Sequence, residues 1–192
     1  MKLLVCISKA PDTTSKIDFT DNNTKFNEAG VQFIVNPYDE WYALVRAIEL
    51  KEQNGGSVTT ITVGTQADEP VIRKALAIGA DNAVRVDAEA NDAYSTAFQI
   101  AEYAKSNGFD IVFTGKETIN YNGSQVGGMI AEMLDQPFVS LATKLDMNGN
   151  TATLHQEIVG GDEVVEVNTP FVVSAAKGMA EQRIPNMGGI MA

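Results

Sequence analysis

Short apolar runs alternate with amphipathic stretches through the first two-thirds of the chain. Leu3–Ser8 is a continuous apolar run and Val58–Gly64 is rich in β-branched residues. Both predict buried strands, as do the shorter Ala83–Asp87 and Asp110–Thr114. Between these runs the apolar positions fall at helical spacing. Trp41, Leu44, Val45 and Ile48 stand at i, i+3, i+4 and i+7. They predict a helix with Asn36 as N-cap, Pro37 at its first position and Asp39 completing a capping-box-like start, stopped by Asn54-Gly55-Gly56. A second helix is predicted from Glu69 to Ile78, with Val71, Ile72, Ala75 and Leu76 inward and Gly79 at its end. A third runs from Tyr94 to Ser106, with Phe98, Ala101 and Ala104 inward. Strands separated by helices of this length imply right-handed crossovers and a mostly parallel sheet covered on both faces.

Two segments break the alternation. Residues 12–35 are too polar for a helix and predict a long loop or hairpin, Lys16–Phe19 against Thr24–Phe26, rejoining the body at Val31–Val35. Residues 138–176 read as β throughout. The strands are Val139–Met147, Thr151–Ile158, Glu163–Val167 and Phe171–Ala175, with turns at Asn148-Gly149 and Gly160-Gly161. The Asn-Gly pair is a hairpin signal, so the region is expected as an antiparallel addition to the parallel core. The tail, Lys177–Ala192, has no periodicity and predicts an irregular arm. The expected organisation is one domain: an α/β core over 1–137, the hairpin region over 138–176 and the arm over 177–192.

The stretch IVFTGKETINYNGSQVGGM, Ile111 to Met129, carries the candidate chemistry. An apolar strand ends at Gly115, a polar loop follows, and Gly123, Gly127 and Gly128 flank the start of a helix. A strand, a glycine-rich turn and a helix N-terminus together suit a phosphate. Unbonded N–H groups of the first helical turn point at the anion, the helix dipole favours it, and glycines allow close approach. The spacing is neither a Walker A loop nor the Rossmann fingerprint, and an ordinary βα turn packed with small residues remains open. Ligands of open parallel sheets sit at the carboxyl ends of the strands, where strand order reverses. The loops 8–12, 64–68 and 115–125 are expected to meet there. Ser124 would donate its hydroxyl to a phosphate, or else cap the helix, and Gln125, Val126 and Gly127 would offer N–H groups.

Composition narrows the function classes. The 192 residues carry a net charge of −11, which argues against nucleic acid and anionic membrane surfaces as partners. No apolar run approaches the roughly 18 residues of a membrane span. One histidine and one cysteine all but exclude a Cys/His metal site. The lone Cys6, inside a predicted strand, cannot form an internal disulfide, which fits a reducing compartment such as the cytoplasm. Ser8, Asp12 and His155 are too scattered for a triad and no G-x-S-x-G elbow exists, so a catalytic role is not expected. Asp39 and Glu40 read as acids favoured by a helix N-terminus.

Several segments, taken together and in order, resemble the β subunit of electron transfer flavoproteins. They are VCISKAPDT, NPYDEWYALVRAIELKE, IRKALAIGADNAVRV, GKETINYNGSQVGGM, EIVGGDEVVEVNTPFVVSA and RIPNMGGIMA, and they cover nearly the whole chain. The resemblance implies a three-layer α/β fold with a parallel sheet of the adenine-nucleotide alpha hydrolase-like type. It also implies a heterodimer with an α subunit, passing electrons through flavin between an acyl-CoA or other dehydrogenase and an acceptor, without substrate chemistry of its own. In many members the β subunit buries AMP while the α subunit holds most of the FAD. In electron-bifurcating members a second FAD takes the AMP position. The family's nucleotide contacts carry over to Cys6, Ser8, Asn36, Val63, Gly64, Thr65, Asn122, Gly123, Ser124, Gln125 and Val126, beside Gly115 from the loop itself. The family's usual acidic run is here Asn120, Tyr121 and Asn122, and its Asn–Gln–Thr is Ser124, Gln125 and Val126. Gln125-Val126-Gly127 and Pro11–Thr13 look closer to the bifurcating branch, so AMP and FAD both stand as occupants. Ala175–Arg183 corresponds to the partner-recognition loop but lacks its usual leucine. Members usually continue past this chain's last residues, so a truncated chain or an unusual member is expected. The alternative from another class is a stand-alone adenine-nucleotide-binding regulatory module of the same superfold.

Overall fold

A computed structural model describes residues 1–119, 121–185 and 190. Asn120 of the loop, and Met187 and Met191 with the Gly188-Gly189 pair of the tail, lie outside the described residues. The elements are β1 (Lys2–Cys6), β2 (Lys9–Pro11), β3 (Phe19–Thr20), β4 (Lys25–Phe26), β5 (Phe33–Val35), α1 (Asp39–Asn54), β6 (Ser57–Gly64), α2 (Glu69–Ile78), β7 (Asn82–Asp87), α3 (Ala93–Asn107), β8 (Ile111–Gly115), α4 (Val126–Leu134), β9 (Phe138–Asn148), β10 (Thr151–Ile158), β11 (Gly161–Asn168) and β12 (Phe171–Ala175).

Eight strands form one sheet in the order β11-β10-β9-β12-β8-β1-β6-β7. Alternation along β1 divides its side chains between two cores, as the strand's period of two requires. Leu3 and Val5 join Leu44, Ile48, Val71 and Ala75 of α1 and α2 on one face. Leu4 and Cys6 join Ala97, Ile100 and Ala104 of α3 and Ile130 of α4 on the other. The result is a helix–sheet–helix sandwich of three layers. Phe113 and Phe171 are its largest fully buried side chains, each contributing about 1.5–3 kcal/mol of transfer free energy. Strand order reverses between β1 and β8: the chain leaves β1 for β6 and β7, then returns through α3 to β8 on the other side.

The structure departs from the sequence expectations at three places. Helix α1 begins at Asp39, with Tyr38 at the N-cap position (φ 65°) and no side-chain cap. Asn36 cannot cap it, because it is fully buried and tied to the end of β1, its N–H donating to Ser8 O at 2.8 Å. The inward set on α3 is Ala97, Ile100, Ala101 and Ala104, so Ala101 and Ala104 lie as expected while Phe98 is exposed and the neighbouring Ala97 is buried instead. An alanine gives a weak apolar signal beside a phenylalanine.

The third departure concerns residues 138–176. Only part of this region is antiparallel. Strand β12 pairs in parallel with both β8 and the start of β9, so it lies inside the parallel sheet. The change of direction happens along β9. At Leu141 the backbone enters the left-handed region (φ 52°), the register against β12 shifts, and the Leu141 N–H donates to the buried Ser174 Oγ at 3.0 Å. Such a bulge bends a strand and turns its later half toward a new partner. Beyond it β9 joins β10 and β11 as an antiparallel meander through Asn148-Gly149. The two short hairpin-like pairings before α1 are β2 with β5 and β3 with β4. In the tail no regular element follows β12 as far as 185, and Arg183 is anchored to Glu52 of α1 at 2.7 and 3.1 Å.

Candidate functional site: a cleft at the strand-order reversal

A cleft of about 970 Å³, counted with the solvent at its mouth, opens at the carboxyl ends of β1 and β8 on the α3–α4 side. Cys6, Ile61, Val63 and Ile100 give it apolar lining, the setting that suits a flat heterocyclic base. Gly123, Ser124, Gln125, Val126 and Gly127 also line it, where α4 begins. Gln125 at the N-cap position makes no side-chain cap hydrogen bond. By contrast α3, whose first turn also borders the cleft, is capped by the Asp92 carboxylate, which accepts from Ser95 N–H at 2.7 Å.

Ser124 does not cap α4 either. Its hydroxyl donates to Glu117 across the loop at 3.3 Å, and its backbone takes φ 51° beside Asn122 at φ 49°. Two left-handed residues in this turn bring the chain sharply into the helix. The close approach extends to Gly127, where a Cβ would lie 2.7 Å from Thr114 Oγ1 and 3.0 Å from the Phe138 ring. Gly127 therefore lets α4 sit directly on the sheet, and a larger residue there would disturb packing before it disturbed any ligand. Lys116 is the one basic side chain among the described lining residues, 3.7 Å from Glu117.

The cleft brings together Cys6, Ser8, Val63, Gly115, Gly123, Ser124, Gln125 and Val126 from the residues expected by sequence. The other four lie behind it or beside it. Asn36 is fully buried; its Nδ2 donates to Ser8 Oγ and its Oδ1 accepts from Ile119 N–H, both at 3.3 Å, so it ties two lining loops together. Gly64 offers its carbonyl to Arg85 at 3.0 Å and packs against Asp68. Thr65 precedes a single 3-10 turn, and Asn122 closes a turn by donating to Thr118 O at 2.7 Å. Lining residues that the sequence did not reveal come from the loop between β7 and α3, Ala90 to Asp92, with Thr96 behind them. These are bland residues whose placement depends on the crossover alone.

The least legible member is Glu40. Read along the chain it is an acid in the first turn of a helix. In the fold it is 6 % exposed and borders the cleft. Ser8 N–H donates to its Oε2 at 2.8 Å, and the Ser8 hydroxyl lies 3.0 Å from both carboxylate oxygens. Gly115 makes room for it, since a Cβ there would meet Glu40 Cγ at 2.8 Å and Glu40 N at 3.0 Å. Burial pushes its carboxyl up to about 8, against the lowering effect of the Ser8 hydrogen bonds, and Asp39 adds to the rise. Burial likewise raises the Cys6 thiol far above its ordinary value, with Glu40 adding to the effect, so Cys6 is an unreactive thiol. Asp39 is raised by burial too, offset in part by Lys116 and a hydrogen bond from the Glu117 backbone.

Among the described residues there is no cluster of His, Cys, Asp and Glu able to hold a metal, and no helix is long and apolar enough to cross a membrane. The cleft combines apolar lining from Cys6, Ile61, Val63 and Ile100 with the start of α4, whose N-cap residue makes no side-chain cap hydrogen bond.

The model of the electron transfer flavoprotein domain matches residues 23–190. The chain is 37% identical, over its whole length and 75% of the relative's, to the electron transfer flavoprotein subunit beta of Bacillus subtilis. It is 37% identical to the protein of the same name in Syntrophomonas wolfei, over its whole length and 76% of that protein. At 30% identity it matches, again over its whole length and 73% of the relative's, the acryloyl-CoA reductase electron transfer subunit gamma of Anaerotignum propionicum. An α/β sandwich of three layers, a domain match over most of the sequence and relatives at 37% identity over the whole chain converge: the chain belongs to the electron transfer flavoprotein family.

Proposed function

We infer that the chain is the β-type subunit of an electron transfer flavoprotein, a carrier rather than an enzyme, and that its cleft holds an adenine nucleotide. The observation that carries this reading is the start of α4, whose N-cap residue makes no side-chain cap hydrogen bond and which borders a cleft also lined by the apolar Cys6, Ile61, Val63 and Ile100. The N–H groups of Val126, Gly127 and Gly128 lie at the positive end of that helix, and they suit the phosphate of AMP or the pyrophosphate of FAD. Cys6, Ile61 and Val63 suit the adenine. Lys116 brings a positive charge to the lining of the same cleft, in a chain of net charge −11. The residues present thus fit either nucleotide.

FAD, where bound, supplies the redox chemistry. The chain's own residues bind the nucleotide, orient its phosphate along α4 and keep its base out of water. The partner that fits this reading is an electron transfer flavoprotein α subunit, with an acyl-CoA or other dehydrogenase as electron donor. The buried, unpaired Cys6 suits a reducing compartment such as the cytoplasm. To test the reading, the full chain is purified with whatever subunit accompanies it and denatured, and the released nucleotide is identified by chromatography and absorbance. Equimolar AMP supports the conventional arrangement and FAD the bifurcating one. A preparation that carries neither, and binds neither when it is added, sinks the assignment of the cleft. A chain that loads with nucleotide but never associates with a flavin-binding subunit is instead a stand-alone nucleotide-binding module.

A further inference from the structure

Glu40 has no role in the reading above, yet it is the most constrained ionisable group in the cleft. It is buried, borders the ligand space and makes no ion pair among the described residues. Its partner is Ser8, held in a short chain of hydrogen bonds. Asn36 has a fixed orientation, because its Oδ1 accepts from Ile119 N–H; its Nδ2 therefore faces Ser8 Oγ and donates to it. Ser8 Oγ has one hydrogen and two lone pairs. Asn36 takes one lone pair. Glu40, at 3.0 Å, takes either the hydrogen or the second lone pair, according to whether it is ionised or neutral.

We propose that Glu40 is a positioning residue for the nucleotide: as a neutral acid it donates to Ser8 Oγ and releases the Ser8 hydrogen to an acceptor atom of the ligand, and as a carboxylate it takes that hydrogen back. The proton that distinguishes the two states exchanges with solvent through the cleft mouth. Ser8 is thus a donor to the ligand only while Glu40 is protonated, and ionised Glu40 also sets a buried negative charge beside an anionic ligand. Burial holds the carboxyl near 8, so the exchange falls in an accessible pH range. The charged and titratable groups around it are Asp39 on α1, the Cys6 thiol on β1, Lys116 and Glu117 on the loop after β8, and Asp92 across the cleft. Lys9, next to Ser8, turns toward Asp68 at 3.1 Å and Glu28 at 3.6 Å.

The inference rests on the cleft being a nucleotide site, and AMP is the probe. Its affinity for the purified full chain, with any accompanying subunit, is measured from about pH 7 to about pH 9. The phosphate of AMP, with its second pKa near 6, is already a dianion over this range. The expected result is a loss of affinity toward alkaline pH that approaches roughly tenfold per pH unit above the Glu40 midpoint, as one linked proton requires. In Glu40→Gln the slope disappears, because the amide donates to Ser8 Oγ at every pH. In Ser8→Ala binding is weaker at about pH 7 and the slope shrinks. Calorimetry on the unmodified chain, in buffers of different ionisation enthalpy, should show net proton uptake on AMP binding at about pH 9, a measurement that needs no variant to fold. AMP affinity that is flat with pH and takes up no proton overturns the proposal and leaves the nucleotide site standing. A Glu40→Gln protein that keeps the wild-type slope overturns it too. Absence of AMP binding throughout the range overturns the site assignment itself.

Discussion

At the scale of single residues the cleft is shaped by what is absent as much as by what is present. Gly115 lacks a Cβ where one would strike Glu40, and Gly127 lacks one where it would strike Thr114 and Phe138. Glu40 itself has a consequence for stability. In the unfolded chain its carboxyl titrates near the ordinary glutamate value of 4.5, and in the fold burial holds it near 8. The folded state therefore holds one more proton between these values, and stability falls as pH rises through that window. Replacing Glu40 by Gln removes this dependence. The wild type should lose on the order of a few kcal/mol between about pH 5 and pH 9 through this group, and Glu40→Gln should not. Urea midpoints of both proteins at the two pH values give the answer; parallel losses would mean that Glu40 titrates normally. The residue was not legible in the sequence. An acid in a helix's first turn is common, and only the tertiary position of Ser8 turns it into a buried group.

At the scale of elements the decisive one is α4, nine residues from Val126 to Leu134, whose N-cap residue Gln125 makes no side-chain cap hydrogen bond. An exposed N-cap of this kind is usually occupied by Asp, Asn, Ser or Thr. Changing Gln125 to Asp would place a carboxylate at that position, where it competes with the ligand's anion. The expected outcome is a gain of about 0.5–1 kcal/mol in thermal or chemical stability together with a marked loss of AMP affinity. A variant more stable and equally good at binding AMP would show that the anion lies elsewhere. The glycine-flanked turn before α4 could be read from the sequence because backbone constraint leaves a residue-level trace. Strand positions were legible as well, down to Phe171–Ala175. Strand direction was not. A run of buried apolar residues looks the same whether its neighbours run parallel or antiparallel, and the direction of β12 depends on the bulge at Leu141 and on the gap α4 leaves between β8 and β9.

At the scale of the whole molecule that gap makes the fold indivisible. Residues 138–176 look in the sequence like a separable β appendage, but β12 fills the middle of the sheet, and Phe171, Val172 and Val173 are fully or almost fully buried there. Phe171→Ala should cost about 3–5 kcal/mol, as for other buried phenylalanines. Deleting everything from Phe171 onward should leave a chain without a cooperative unfolding transition in calorimetry. Shortening the β10–β11 turn at Val159, a fully exposed tip, should change stability little. A cooperative truncated chain would contradict the central role of β12. The same feature governs the order of events as the protein is made. Strands β7, β6, β1 and β8 leave the ribosome well before β12, with roughly 55 residues between Gly115 and Phe171. At about 5–20 residues per second this is about three to eleven seconds during which the β8 edge has no neighbour. A bare apolar strand edge invites pairing with other nascent chains. The nascent polypeptide must therefore pass through an interval of exposure that closes only when β12 slots in, and that interval is where a chaperone would be of most use.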